Sequence, residues 1–595
     1  MTQSRVKNSA KNTFFAALNM LVQILLKFAV RIVFVRFLSV EYLGLNTLFS
    51  NILQVLSLAE LGVGGAIVYS MYKPVADGDT EKIKSLIGIY KKFYWIIGGV
   101  ITVVGLAIIP LLPYLMNGGT TLEVNLNLVY VIYLFNTSAG YFFAHRRALI
   151  FANQRNDIET KVSSVCLIAL NAVQLIVLAL SRNYLLYIAV LPLFTLIESV
   201  AITVISHRLY PAIRGKAPKL SDTDKKELVK NTAAMVGHKL GGVAVNSTDN
   251  IFISAFLGLT ALGLYSNYAY ITTILTSVLT LIVTATRASI GNLIAAGNKQ
   301  RAYEVFCDLS YFLFAFLIFC FSCYTALAQD FVSIFFGKKL VLPFATMLLI
   351  GINFYVMQSR AIIGAFRETT GLFWKDRYKP FFEVAINIGL DFALVIAIGL
   401  PGIVIATIVS NVVCNLTVEP YIVFKYYFNK SVKKYYLVYI LLVFVAAAVC
   451  AVTFTVGYFI PANGVLMLIV KAVVCAVTSG ALILVCSLPL KQFRNWLKIL
   501  KGFLRKGDGK KSESDIDSAA GEDFSDVSAA GKEIPSAEKT SLKPAFTDSA
   551  EKATDSDAKA EKSRALVGEE KENATQTLSS EKEETDPEKN QKKST

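Results

Sequence analysis

The chain has 595 residues, 54% of them apolar, a formal charge of +16 and a mean hydropathy of +0.53. That hydropathy excludes a soluble globular protein, and apolar runs of about 20 residues joined by short polar links imply an all-α polytopic membrane protein. The charge does not imply a nucleic-acid partner, because the bases are spread link by link and accompany no nucleic-acid motif.

In chain order the runs are 13–38, 43–72, 94–116, 124–144, 162–180, 184–205, 231–256, 264–286, 305–328, 340–363, 380–399, 402–422, 436–459 and 464–487, about 14 transmembrane helices. With the N-terminus inside, the cytoplasmic links hold clusters such as Lys82, Lys84, Lys91 and Lys92, whereas the opposite links hold only Arg182, Lys338 and Lys339. By the positive-inside rule both termini are expected to be cytoplasmic. The first run is too long and too charged for a signal peptide. All eight cysteines fall in apolar runs, which predicts reduced helix residues rather than a disulfide framework.

The first run carries Asn19, Gln23, Lys27 and Arg31, spaced four apart and so on one helix face. A charge at bilayer depth costs about 2.5–3.5 kcal/mol on insertion scales, so Lys27 and Arg31 should face protein or a water-filled cavity. Further rows follow. The seventh run holds His238, Lys239, Asn246, Asp249 and Asn250; the eleventh Glu383, Asn387 and Asp391; the twelfth Asn411, Asn415 and Glu419; Glu60 and Glu198 are isolated acids. Repeated rows predict a hydrated cavity, whereas single charges such as Arg36, Glu419 and Lys471 read as groups paired between helices or snorkelling to an interface. Lys27 and Arg31, helped by Lys239 and His238, suit a phosphate or pyrophosphate, and Asn387 and Asp391 with Asp249 offer oxygen ligands to a small hard cation.

The sequence repeats on itself at an offset of 219. Lys11-Asn12-Thr13 returns as Lys230-Asn231-Thr232, Leu38, Leu43, Gly44 and Leu45 as Leu257, Leu262, Gly263 and Leu264, and Ala76, Gly78 and Lys82 as Ala295, Gly297 and Arg301. This predicts two parallel six-helix lobes, residues 1–210 and 211–430, with two extra helices over 431–490. An amphipathic interfacial helix is expected over 491–506, where Phe493, Trp496 and Leu500 oppose Arg494, Lys498 and Lys501, and a disordered cytoplasmic tail over 507–595.

The segment from Ser247 to Ser254, with Gly263-Leu264-Tyr265-Ser266-Asn267-Tyr268, Glu60-Leu61-Gly62 and Leu400-Pro401-Gly402, resembles bacterial polysaccharide flippases over about residues 5–490. The resemblance is to the Wzx-like oligosaccharide flippase branch of the multidrug/oligosaccharidyl-lipid/polysaccharide exporter superfamily. It implies a V-shaped pair of lobes that turns polyprenyl-diphosphate-linked oligosaccharide over by alternating access, with Lys27 and Arg31 on the diphosphate. It also implies sodium at Asp249, Asn387, Asp391, the carbonyl of Ile403 and Thr407, with sodium or a proton as coupling ion. No enzymatic activity and no other cofactor are expected. The expected partners are undecaprenyl-diphosphate-type lipid, membrane lipids and polysaccharide polymerase machinery, and the expected location is the bacterial cytoplasmic membrane. A drug/cation antiporter of the same superfamily and a membrane glycosyltransferase or polymerase are the alternatives; the first conflicts with cations on the first helix, the second with the short outer links.

Overall fold

The computed structural model describes residues 2–57, 63–117, 119–213, 222–490 and 492–494, with side chains described from Asn19 in the first helix and from Ser247 in the eighth. The described residues form helices and no strand. The helices of the first half are α1 (Thr2–Phe37), α2 (Val40–Leu56), α3 (Val63–Asp77), α4 (Thr80–Ile108), α5 (Leu126–Ala152), α6 (Asn156–Ser181) and α7 (Tyr184–Leu209). Those of the second half are α8 (Asp222–Ala295), α9 (Lys299–Phe335), α10 (Phe344–Ser359), α11 (Ala361–Thr369), α12 (Lys379–Ile398), α13 (Leu400–Ser410) and α14 (Thr417–Val423), followed by α15 (Lys433–Tyr458) and α16 (Val465–Ser487).

Among the described residues, 11 helices are long and apolar enough to cross a membrane. The expected number was higher for physical reasons. α1 carries Lys27, Arg31 and Arg36, which lower its hydropathy. The seventh and eighth runs form one continuous helical stretch, α8, broken only at Gly258, where φ is 85° and ψ 171°. Of the second run the described residues give α2 and α3, with 58–62 outside them. The twelfth run, with wide π turns at Asn411–Leu416 and Phe424–Phe428 around the short α14, still counts among the 11 as Leu400–Phe428. Glu60, most of the expected interfacial helix and the tail lie outside the described residues.

The 219-residue repeat recurs in local structure. Gly78 and Gly297 both turn the chain with positive φ, 70° and 77°. The next residues, Asp79 and Asn298, cap the following helices by accepting from the backbone N–H of Lys82 and Arg301, at 2.9 and 3.0 Å. Each pair is separated by the repeat offset. Glycine meets the positive φ without a Cβ penalty, and a short side-chain acceptor satisfies an orphan helix N–H.

The two copies also meet each other reciprocally. A Cβ on Gly44 would lie 1.9 Å from the carbonyl oxygen of Leu259, and one on Gly263 would lie 2.3 Å from that of Val40. Val40 and Leu259 are again one repeat apart, so each glycine of one copy abuts the other copy's equivalent backbone. Such a mutual contact is what a two-fold relation produces, and glycine is what lets two helix backbones approach so closely in a membrane. Apolar clusters flank this contact, one around Leu45, Phe49 and Tyr130, another around Phe306, Phe366 and Phe424. α15 and α16 pack on α9, where Lys471 pairs with Asp330 at 2.6 Å.

Candidate functional site

Three elements bring four oxygen-bearing side chains of the second half together. Asp249 is on α8 before its break, Asn387 and Asp391 are one turn apart on α12, and Thr407 is on α13. All are buried, with exposures of 7% for Asp249, 0% for Asn387 and Asp391 and 2% for Thr407. Thr407 Oγ1 donates to Asp249 Oδ2 at 2.6 Å and lies 3.1 Å from the carbonyl oxygen of Ile403, and Asn387 Nδ2 reaches Thr407 Oγ1 at 3.5 Å. The carboxyl groups of Asp249 and Asp391 face each other.

That arrangement leaves four buried oxygens with no hydrogen-bond donor: Asp249 Oδ1, Asn387 Oδ1 and both oxygens of Asp391. Two adjacent buried carboxylates repel, and each unsatisfied buried oxygen costs stability. A hard cation answers both demands, since it takes oxygen ligands alone. A shared proton would answer the repulsion but would satisfy fewer of the oxygens.

A polar seam continues from this cluster between α12 and the α13–α14 stretch. Asn411 Nδ2 donates to the carbonyl of Thr407 at 2.9 Å, Asn415 Nδ2 to Asn411 Oδ1 at 2.8 Å and to Glu383 Oε1 at 2.6 Å, and Lys379 Nζ to Asn415 Oδ1 at 2.6 Å. It ends at Glu419, which is 1% exposed and is reached by Lys379 at 2.5 Å, Arg360 at 2.8 Å and Arg367 at 3.0 Å. Arg367 also pairs with Asp376 at 2.5 Å. Lys379, Glu383, Asn387 and Asp391 are four residues apart on one helix, as are Thr407, Asn411, Asn415 and Glu419 on the facing stretch. From Thr407 to Glu419 is a rise of about 18 Å at 1.5 Å per residue, over half a hydrocarbon core. Glu419 is therefore a caged carboxylate rather than a single charge snorkelling to an interface. Lys471, through Asp330, is likewise half of an ion pair between helices.

The α1 stripe is divided among partners. Asn19 Nδ2 and Gln23 Nε2 donate to Ser164 Oγ of α6, at 2.7 and 3.4 Å. Arg31 crosses to α8 beyond its break, giving Nε and Nη2 to Asn267 Oδ1 at 3.1 and 3.0 Å and Nη2 to Ser266 Oγ at 2.8 Å. Its guanidinium carbon also lies 4.9 Å from the Tyr270 ring centroid. Lys27 is exposed. One repeat later, Asn250 Nδ2 donates to Asn51 Oδ1 at 3.2 Å. Arg31 and Asn250 are equivalent positions, as are Asn51 and Tyr270, so this is the same inter-copy contact with the charge replaced by an amide. The side chains of His238, Lys239 and Asn246, expected near this region, lie outside those described. Glu383 belongs to the seam.

Sequence reading found the rows but missed their partners. Ser266 and Asn267 sit inside a motif valued only for resemblance, with Tyr270 two residues beyond it, and Arg360 and Arg367, seven apart on one helical face, were the available signal for a buried anion.

Residues 9–287 match the family model described as polysaccharide biosynthesis protein. Among solved structures, the fold is similar to the lipid II flippase MurJ in an inward closed conformation, with a TM-score of 0.59 and 12% identity over 80% of this chain and 99% of that one. It is also similar to an inward-facing multidrug resistance MATE family transporter of the MOP superfamily, with a TM-score of 0.53 and 15% identity over 66% of this chain and 93% of that one. No curated protein sequence matches the chain significantly. The chain is thus a multi-pass membrane protein with a fold similar to that of these two transporters, and its residues 9–287 match the polysaccharide biosynthesis protein model.

Proposed function

We propose that the protein turns a polyprenyl-diphosphate-linked oligosaccharide from the inner to the outer leaflet of the bacterial cytoplasmic membrane, by cation-coupled alternating access of two six-helix lobes. The family match over residues 9–287 carries this reading, and the fold it shares with a lipid II flippase supports it. The prenyl chain stays in lipid while only the charged, sugar-bearing headgroup crosses, so the protein must supply a polar path for the headgroup alone. Both termini are cytoplasmic in this reading, following the distribution of Lys and Arg.

Arg31 is the proposed diphosphate ligand, with Lys27 beside it as a point charge; a guanidinium holds two phosphate oxygens at once. To do so Arg31 exchanges Ser266 and Asn267 for the headgroup, which links substrate binding to the contact between the lobes. Sodium at Asp249, Asn387, Asp391, Ile403 and Thr407 biases one conformation, which requires tighter binding to that state.

The test is reconstitution of the full chain in liposomes containing undecaprenyl-diphosphate-linked oligosaccharide, with outer-leaflet headgroups counted by an impermeant lectin or oxidant. Delivery is expected with wild type and at least a tenfold loss with Arg31→Ala, at equal protein insertion. Export of cationic drugs without any delivery of lipid-linked sugar would instead favour the antiporter reading.

A further inference from the structure

A second cavity, of about 620 Å³, lies within the first lobe, away from α1, α8 and α12. It is walled by α3, α4, α5 and α7, with Asn156 at the start of α6, and its volume is in the range of about 300–1,000 Å³ typical of small-molecule sites. Three features define what it can hold.

The first is its walls, which include the rings of Tyr72, Tyr90, Tyr94, Tyr141, Phe143 and Phe151. Tyr90, Tyr94 and Tyr141 follow one another in contact, with centroids 4.4 and 5.9 Å apart and ring planes tilted by 57° and 41°. Flat apolar rings with polar edges suit a molecule that has both apolar C–H faces and hydroxyl edges.

The second is charge. Arg147 is the one cation among the lining residues, and it is already shared by two carboxylates, Glu198 at 2.5 Å and Glu159 at 3.8 Å. Ser163 Oγ adds a bond to Glu198 at 2.6 Å. Glu198 is the one acid among the lining residues, so the cavity carries no free positive charge for a diphosphate, and the Glu198 carboxylate suits hydroxyl or ammonium donors.

The third is depth. The lining residues come from Gly64–Tyr72, Tyr90–Tyr94, Thr137–Phe151 and Thr195–Ile202, the cytoplasmic halves of their helices in the proposed topology. There a headgroup would arrive before translocation.

We propose that this cavity binds the sugar part of the headgroup, a neutral or amino-bearing glycan, while the diphosphate is held elsewhere. The inference rests on the flippase reading for its substrate but reads a different site. Sugar rings stack on the tyrosines, and their hydroxyls donate to Glu198.

Gly140 gives a clean test. It lines the cavity within α5, and a Cβ built there meets nothing within 4 Å. A side chain added at this position grows into empty space, and replacing a mid-helix glycine favours the helix. Saturation-transfer NMR on the full chain in detergent, with N-acetylglucosamine, galactose and glucosamine as probes, is expected to show transfer to at least one sugar in wild type and in Gly140→Ala. Gly140→Phe, and Gly140→Leu as a smaller filler, should cut that transfer at least fivefold with an unchanged melting temperature. Inorganic pyrophosphate should not compete. No transfer to any of the three sugars, transfer unaffected by both fillers, or competition by pyrophosphate overturns the proposal. Delivery of lipid-linked oligosaccharide by wild type, measured in parallel, separates the two readings: delivery without sugar binding here removes this site alone, and binding without delivery removes the flippase reading alone.

Discussion

Arg31 is a charge at membrane depth with no carboxylate among its hydrogen-bond partners, and three hydrogen bonds to a serine and an asparagine do the work of solvation. Bonds to a charged group are worth about 1.5–3 kcal/mol each, so this contact is firm yet exchangeable for a phosphate. Asn267→Ala frees part of the guanidinium and is expected to tighten pyrophosphate binding severalfold by calorimetry, while Arg31→Lys, which loses the fork geometry, weakens it. Glu419 is the opposite case, one buried carboxylate holding three cations. Glu419→Gln takes the countercharge from Lys379 and Arg360, while Arg367 keeps Asp376, and is expected to cost about 3–5 kcal/mol, seen as a lower melting temperature; Lys379→Met added to it should recover part of the loss. Outside the spans, Glu41 accepts from Thr120 Oγ1, and from the backbone N–H and Oγ1 of Thr121 at 3.0 and 2.5 Å. Partial burial pushes its carboxyl up, but these bonds outweigh it and hold it below the usual 4.5. A lowered carboxylate stabilises the fold above its ordinary value and loses that effect as pH falls through the lowered one. The melting-temperature gap between wild type and Glu41→Gln should therefore be present at pH 7 and close in strong acid.

Helices of the two copies meet where glycine removes a side chain, and the reciprocity of Gly44 with Leu259 and Gly263 with Val40 assigns these positions the same role. A methyl group at either would fall within 3 Å of a backbone oxygen, so the helices must part. Gly44→Ala and Gly263→Ala are accordingly expected to destabilise this arrangement similarly, and to shift distances between spin labels on α2 and on α8 past Gly258 in the same direction. A shift in only one variant would show that the contact is not symmetric. The repeat, the spans and the polar rows were legible because each rests on spacing along one chain: Gly44 and Gly263 stand out at a fixed offset, and Glu383, Asn387 and Asp391 at a fixed period. Which row faces which was not legible, because register between helices is set by packing. Asn415 binds Glu383 and not the α1 stripe for that reason. The stripe itself divides between α6 and α8, although Asn19 and Arg31 share a face, because α1 runs past two neighbours along its length.

Across the whole molecule the two copies share a frame and differ in charge: a guanidinium at Arg31 where the other copy has Asn250, and a carboxylate pair only in the second. The cluster around Asp391 and the cage around Glu419 are joined by one hydrogen-bonded seam, the route that the proposed coupling would use. A cation that fills the four orphan oxygens should stabilise the protein, so sodium is expected to raise the melting temperature of wild type, and not that of Asp391→Asn or Asp249→Asn. The seam makes a separate prediction. Asn415→Leu cuts it midway, without touching Asp249, Asp391 or Thr407, so the sodium-induced rise should survive while sodium no longer changes the rate of headgroup delivery in liposomes. If that variant keeps both responses, the seam is structural and the cation acts by another route. If it loses the thermal rise as well, the cluster and the seam form one inseparable site, and Asn415 belongs to the set that binds the ion.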